Sequence, residues 1–205
     1  MVRYITVANE AEAEEVIERS RFIAHIKRVQ SREDAEDFFA SVRSKYKDAT
    51  HNVPAFVIGE KQELQWASDD GEPSGTSGAP MLQMLVKEGL TNVAVIVTRY
   101  FGGVKLGTGG LVRAYTGVLR KALDKAGKYE ERDYKSLRFR LPYSKLAKVQ
   151  KSAGDLGFEI EDTVYEDELI ITVKYESERE DSVIAGLTDM LSGSLVIMDD
   201  DRRTR

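Results

Sequence analysis

Residues 92–115 read NVAVIVTRYFGGVKLGTGGLVRAY. The run Asn92–Thr98 is apolar and rich in β-branched residues, the composition of a buried strand. Further on, Leu111, Tyr115, Val118, Leu119 and Ala122 recur at helical intervals. A long helix is therefore expected over Leu111–Ala126, closed by Gly127. Between strand and helix lies a glycine-rich loop. Glycine allows positive φ and lets a ligand approach the main chain closely. A loop that follows a strand and opens a helix offers unpaired N–H groups and the positive end of the helix dipole, which suit phosphate or carboxylate. Arg99, Lys105 and Arg113 add full charges, while Arg113, Gly117, Arg120 and Lys128 share the outer helix face. The expected anion-binding set is Arg99, Phe101, Gly102, Gly103, Lys105, Thr108, Gly109, Gly110 and Arg113, extended by Arg120 and Lys128. Phe101, set among glycines, is the expected exposed aromatic. The competing expectation is that these glycines serve only turns and close packing. GTGGLV departs from G-x-G-x-x-G at Val112, and no G-x-x-x-x-G-K-[ST] occurs. A dinucleotide fold or P-loop is therefore not expected.

A second glycine loop, DDGEPSGTSGAP at 69–80, has the opposite character. Asp69, Asp70 and Glu72 are acidic; Ser74, Thr76 and Ser77 are hydroxylic. They read either as a hard-metal or general-base site or as a capped turn whose side chains bond local N–H groups. Turn chemistry accounts for every residue type in the loop. The two loops could also meet, Asp69 or Glu72 pairing with Arg99 or Arg113 in a structural role. Of the histidines, His25 lies in an alternating stretch and His51 just before a strand. A His51–Asp–Ser triad can be written, but no G-x-S-x-G elbow supports it. No catalytic residue, metal ligand or cofactor is assigned.

Outward from these loops the signals alternate. Asn9 is a candidate cap for a first helix, with Glu12 at the capping-box position. Arg21–Val29 reads as a strand. Ser31 caps a helix whose Ala35, Phe38, Phe39, Val42 and Tyr46 share one face. Val53–Ile58 and Leu64–Ala67 form a strand pair through Gly59, with Trp66 expected in the core. Pro80 suits the first turn of a short helix that Gly89 ends. A charge run at Tyr129–Asp133 marks a boundary, giving expected domains of 1–131 and 132–205. The second domain reads βαββαβ, ending in a strand over Ser194–Met198 and the tail DDDRRTR, expected to be mobile. That order points to a ferredoxin-like sandwich in an α+β protein. Its open face would carry Arg138, Arg140, Glu159, Glu161, Thr172 and Lys174, a solvated surface without the aromatics on which RNA bases stack.

Composition sets limits. With 41% hydrophobic and 32% charged residues the 205-residue chain can build a core. It has no cysteine, which excludes disulfides, thiolate metal sites and cysteine nucleophiles. The N-terminus lacks the pattern of a signal peptide and no stretch suits a membrane span, so a cytoplasmic protein is expected. Net charge is −5. Between Gly89 and Tyr129, however, seven basic residues face one acid. A local cationic surface says more about partners than the average does.

SRFIAHI, HNVPAFVIG, WASDDGEPSGTSGAPML and NVAVIVTRYFGGVKLGTGGLVRAY occur in order, and together they resemble the YigZ/IMPACT family over residues 20–126. The second domain is similar to one that bacterial members append. The resemblance implies a ribosomal protein S5 domain 2-like first domain, similar to domain IV of elongation factor G, and a second similar to its domain V. It implies a link to translation, with RNA or the ribosome as partner. A protein partner in control of translation initiation is the alternative, and an enzyme acting on a phosphorylated or carboxylated small molecule a third reading.

Overall fold

The computed structural model describes residues 2–198; the tail expected to be mobile lies outside them. The chain divides into two compact units, Arg3–Glu131 and, with the first two residues, Arg132 onward.

The first unit runs β1 (Val2–Val7), β2 (Ala11–Ile17), β3 (Ser20–Arg28), α1 (Arg32–Lys45), β4 (His51–Ile58), β5 (Leu64–Ala67), α2 (Gly78–Lys87), β6 (Val93–Tyr100), α3 (Gly107–Ala126) and β7 (Lys128–Arg132). Five strands form an antiparallel sheet in the order β2-β3-β6-β4-β5, and β1 pairs with β7. The apolar run at β6 is the central strand. Val93, Val95 and Val97 enter a core with α2 and α3, whereas Ala94 and Ile96 pack with α1 on the other face. Burial on both faces is why β6 reads as continuously apolar rather than alternating. The Ser31 hydroxyl accepts from the Asp34 amide, and the Asp34 carboxylate accepts from the Ser31 amide, so α1 starts with a full capping box.

Three expectations need correction here. The stretch after Asn9 is strand β2, not a helix. Ala11 and Ala13 turn inward while Glu12 and Glu14 turn out to Lys45 and Arg21. The partner strand β3 supplies a ladder that overrides the helix propensity of alanine and glutamate. Glu18 and Arg19, both at positive φ, make the tight hairpin between them. Trp66 is not fully buried: it stacks on Phe56 at 5.7 Å near the β5 edge and stays 39% exposed. The long helix begins at Gly107 rather than Leu111, so Thr108, Gly109 and Gly110 form its first turn.

The second unit runs β8 (Tyr134–Leu141), α4 (Leu146–Leu156), β9 (Phe158–Tyr165), β10 (Leu169–Glu176), α5 (Glu180–Met190) and β11 (Val196–Ile197). The antiparallel sheet has the order β11-β8-β10-β9. Leu137, Phe139 and Leu141 meet Leu169, Ile171 and Val173 and the helices in one core. The final strand is shorter than expected. On the other face Arg138 lies opposite Thr172, and Lys174 stands 4.9 Å over the ring of Tyr134, an aromatic that the expected list of that face omitted.

Candidate functional site

The two glycine loops meet at the end of β6. Arg99 is its second-to-last residue, 4% exposed, and donates from Nη1 to Glu72 Oε1 at 2.6 Å. The same oxygen accepts from the Tyr115 hydroxyl at 2.7 Å. Tyr115 is fully buried on α3, its ring edge-on to Phe22 at 5.3 Å. Burial, reinforced by the hydrogen bond to Glu72, pushes its phenol far above the ordinary value, so it remains a donor. Arg99 also lies 5.2 Å from the Phe22 ring centroid and 5.4 Å from that of Phe101. Thus Glu72, from the first loop, and Arg99, from the second, form one buried pair, the structural meeting that the sequence allowed.

Above this pair opens a cavity of about 450 Å³. His51, Glu72, Arg99, Phe101, Lys105 and Thr108 contribute to its wall, together with Leu106, Gly107 and Leu111. His51 Nδ1 lies 2.7 Å from the main-chain oxygen of Asp70. Facing a carbonyl, Nδ1 carries a proton and donates it; in the neutral ring Nε2 is then an acceptor. Nε2 stands 3.9 Å from Glu72 Oε2. The Glu72 carboxylate is 7% exposed, and its Oε2 accepts no hydrogen bond from the described residues.

The loop is held open by specific contacts. The Gly102 amide donates to Ser20 Oγ at 3.1 Å, and a Cβ there would lie 2.1 Å from the Arg19 carbonyl, so only glycine fits. The Phe101 amide donates to Thr50 Oγ1, and its ring remains 47% exposed. Leu106 provides no side-chain cap for α3. The first amides of a 20-residue helix are therefore open beside Lys105.

Other expected site residues lie elsewhere. Gly103, Gly109 and Gly110 are not on the cavity wall, and Arg113 lines a neighbouring depression with Glu15, Glu18 and Lys121. Lys105 borders both. Arg113 and Lys105 make no ion pair among the described residues, whereas Lys121 pairs with Glu15 at 3.0 Å. Arg120 and Lys128 both grip Glu88, at 2.7 and 2.8 Å. These two cations, Arg120 first, hold the Glu88 carboxyl down to about 2. Glu88 offsets one of their two charges, so the pair presents less positive charge than a count of cations along the helix suggests.

In the first loop, local hydrogen bonds engage Asp69, Asp70, Thr76 and Ser77. Asp69 Oδ1 accepts from Ser77 Oγ and from the amides of Ser77 and Gly78, and Oδ2 accepts from the Gly75 amide. Burial alone would raise its carboxyl, but these donors together keep it below the ordinary value. Asp69 thus caps α2 and is unsuited to act as a base. Asp70 Oδ2 accepts from the Asn52 amide at 2.6 Å. Thr76 Oγ1 donates to the Pro73 carbonyl, and Ser74 is exposed outside the cavity wall. Among the described residues no cluster of three or more histidines and carboxylates is placed to hold a metal, and no helix is long and apolar enough to cross a membrane.

His51 and Tyr115 were not in the expected site. Tyr115 read as part of an apolar stripe, and its hydroxyl was the one signal that its buried end needed a partner. His51 reads as the residue just before a strand and is in fact the first residue of β4.

Residues 18–123, which contain every cavity residue, match the Impact N-terminal domain family. The chain belongs to the IMPACT family. It is 37% identical over 190 residues to IMPACT family member YvyE of Bacillus subtilis, covering 93% of this chain and 88% of that protein. With IMPACT family member YigZ of Escherichia coli it shares 33% over 186 residues, 90% and 91% of the respective chains. A solved structure described as that of an hypothetical protein is similar with a TM-score of 0.61 at 31% identity, over 98% of each chain. Similarity to these IMPACT family members thus spans both units.

Proposed function

We propose that this IMPACT family member is a translation-associated regulator that holds RNA phosphate, on a ribosome or a structured RNA, at the loop 101–106 and the first turn of α3. Family membership supports a role in the regulation of translation. The observation that carries the RNA reading is the uncapped start of α3 beside Lys105 and Arg113, two exposed cations without an ion pair among the described residues. Open amides, the helix dipole and unpaired cations are what a phosphate backbone binds. In this reading Arg3–Glu131 takes the ribosomal protein S5 domain 2-like fold and the second unit a ferredoxin-like fold, as in domains IV and V of elongation factor G. The βαββαβ order with strands β11-β8-β10-β9 supports the second assignment.

Sedimentation with ribosomes and with free RNA across a salt series tests the proposal. Affinity is expected to fall steeply with salt, and Lys105→Ala and Arg113→Ala should each lower the logarithmic salt slope by about one. Binding that ignores both salt and these substitutions would refute it. A protein partner retained from lysate after nuclease treatment would favour a protein-interaction regulator instead.

A further inference from the structure

We infer that the cavity beside this loop receives the free 2′,3′-diol end of a 5′-phosphorylated ribonucleotide. The inference rests on the phosphate reading above and adds the group that the site distinguishes. Its starting point is a buried carboxylate with one oxygen fully engaged and the other not. Glu72 Oε1 takes both Arg99 and Tyr115; Oε2 takes no hydrogen bond from the described residues, and Glu72 contributes to the cavity wall. An acceptor without a protein donor on a residue of the cavity wall is free to take a donor from outside the chain.

His51 narrows what that donor can be. Its Nδ1 proton goes to the Asp70 carbonyl, so in the neutral ring, the form to which this inference applies, Nε2 is a second acceptor 3.9 Å from Oε2. Two acceptors at that separation cannot bond each other. A single hydroxyl carries one proton and satisfies only one of them, whereas a water can donate to both, so a ligand that replaces such a water must bring two donors. The two oxygens of a ribose cis-diol lie closer together than the acceptors do, and each donates one proton across about 2.8 Å. A primary ammonium would also supply several protons, but the positive charge of Lys105 on the same wall opposes it.

The rest of the wall suits the rest of a nucleotide. Lys105 and the uncapped amides at Gly107 and Thr108 supply a phosphate site. Phe101, half exposed with the Arg99 guanidinium 5.4 Å from its ring centroid, presents a face for a base. A cavity of about 450 Å³ lies within the range of small-ligand sites. Only a terminal or a free nucleotide presents both hydroxyls, since an internal one has its 3′ oxygen esterified.

The test compares the full-length protein's affinity for a short single-stranded RNA carrying an unmodified 3′ end, the same RNA ending in a 2′-deoxy or a 3′-deoxy nucleotide, and adenosine 5′-monophosphate. The unmodified end is expected to bind about tenfold tighter or more than either deoxy end, the worth of one hydrogen bond to a charged acceptor. His51→Ala should narrow that preference for the 3′ end while retaining the salt-dependent binding of the deoxy-ended strands, and Lys105→Ala should weaken all the strands alike. Comparison of the three strands on the unmodified protein does not depend on how any variant folds. Equal affinity for the three strands overturns the diol inference but leaves the phosphate reading standing. No binding of any strand overturns both. Monophosphate that competes as well as the RNA end assigns the site to free nucleotides; monophosphate that fails to compete while the RNA end binds assigns it to RNA termini.

Discussion

The two histidines flank the same central strand and meet opposite fates. His25 on β3 lies opposite Ile96 and belongs to the face covered by α1; His51 on β4 lies opposite Arg99, on the face of α2 and α3. Each has one nitrogen near a carboxylate. His25 Nδ1 is 3.2 Å from Glu12 Oε2, and its Nε2 is buried without a partner. Burial pushes its pKa below the ordinary value, although Glu12 and Glu10 pull the other way; Lys45 adds to the lowering. His51 has its proton tied to a carbonyl and its open nitrogen turned to a cavity. The difference teaches that an unsatisfied ring nitrogen is informative only with the space around it. At His25 the open nitrogen is buried, although the residue borders a depression of about 340 Å³ with Glu12, Ser41 and Lys45. At His51 it lies 3.9 Å from the free oxygen of Glu72, and both residues line a chamber of about 450 Å³.

The largest expected effect comes from removing the group that organises the His51 side. Glu72→Ala leaves the buried Arg99 guanidinium without its carboxylate and the Tyr115 hydroxyl without its acceptor. A loss of about 3–5 kcal/mol in stability is expected from urea unfolding. A loss below about 1 kcal/mol would show that the pair behaves like a surface contact and would erase the contrast drawn here.

A smaller effect, confined to acid, should mark the His25 side. The unfolded chain protonates this histidine near 6.5, while the folded chain does so only at lower pH. The unfolded state therefore binds more protons in that window, and stability falls as pH decreases from about 6.5 toward the folded value. His25→Leu should flatten that limb in unfolding curves taken from pH 7.5 to 5. An unchanged slope would mean that burial does not keep the ring neutral.

The smallest effect belongs to the outer face of α3. Arg120→Ala removes one of the two cations on Glu88 and should cost less than about 1 kcal/mol. It should also leave the salt slope of RNA binding unchanged, whereas Lys105→Ala lowers it. A drop equal to that of Lys105→Ala would return Arg120 to the binding surface.

Much of the architecture was legible in the sequence because its signals are local. The apolar run of β6, the Ser31 capping box, the face of α1 and the alternating strands of the second unit all state their burial in their spacing. The β2 segment was misread because alanine and glutamate favour a helix until a neighbouring strand provides a ladder. The start of α3 was placed four residues late because glycines argue for a loop, yet Gly109 and Gly110 fit the first turn. Of the expected anion set, Arg99, Phe101, Lys105 and Thr108 line the cavity. Arg99 does so as half of an internal pair, and Arg120 and Lys128 share one partner in Glu88, a carboxylate on the C-cap of a different helix. Charge counted along a chain does not reveal which charges cancel across it.

The sequence by itself determined the family, the order of most elements and the two glycine loops, since each depends on residue types and their spacing. Tertiary structure alone decided which acid meets which base, that Tyr115 and His51 converge on Glu72, and that Arg113 faces a different depression from Arg99. These are contacts between residues tens of positions apart, set by strand register and helix packing, and no local pattern encodes the distance between them.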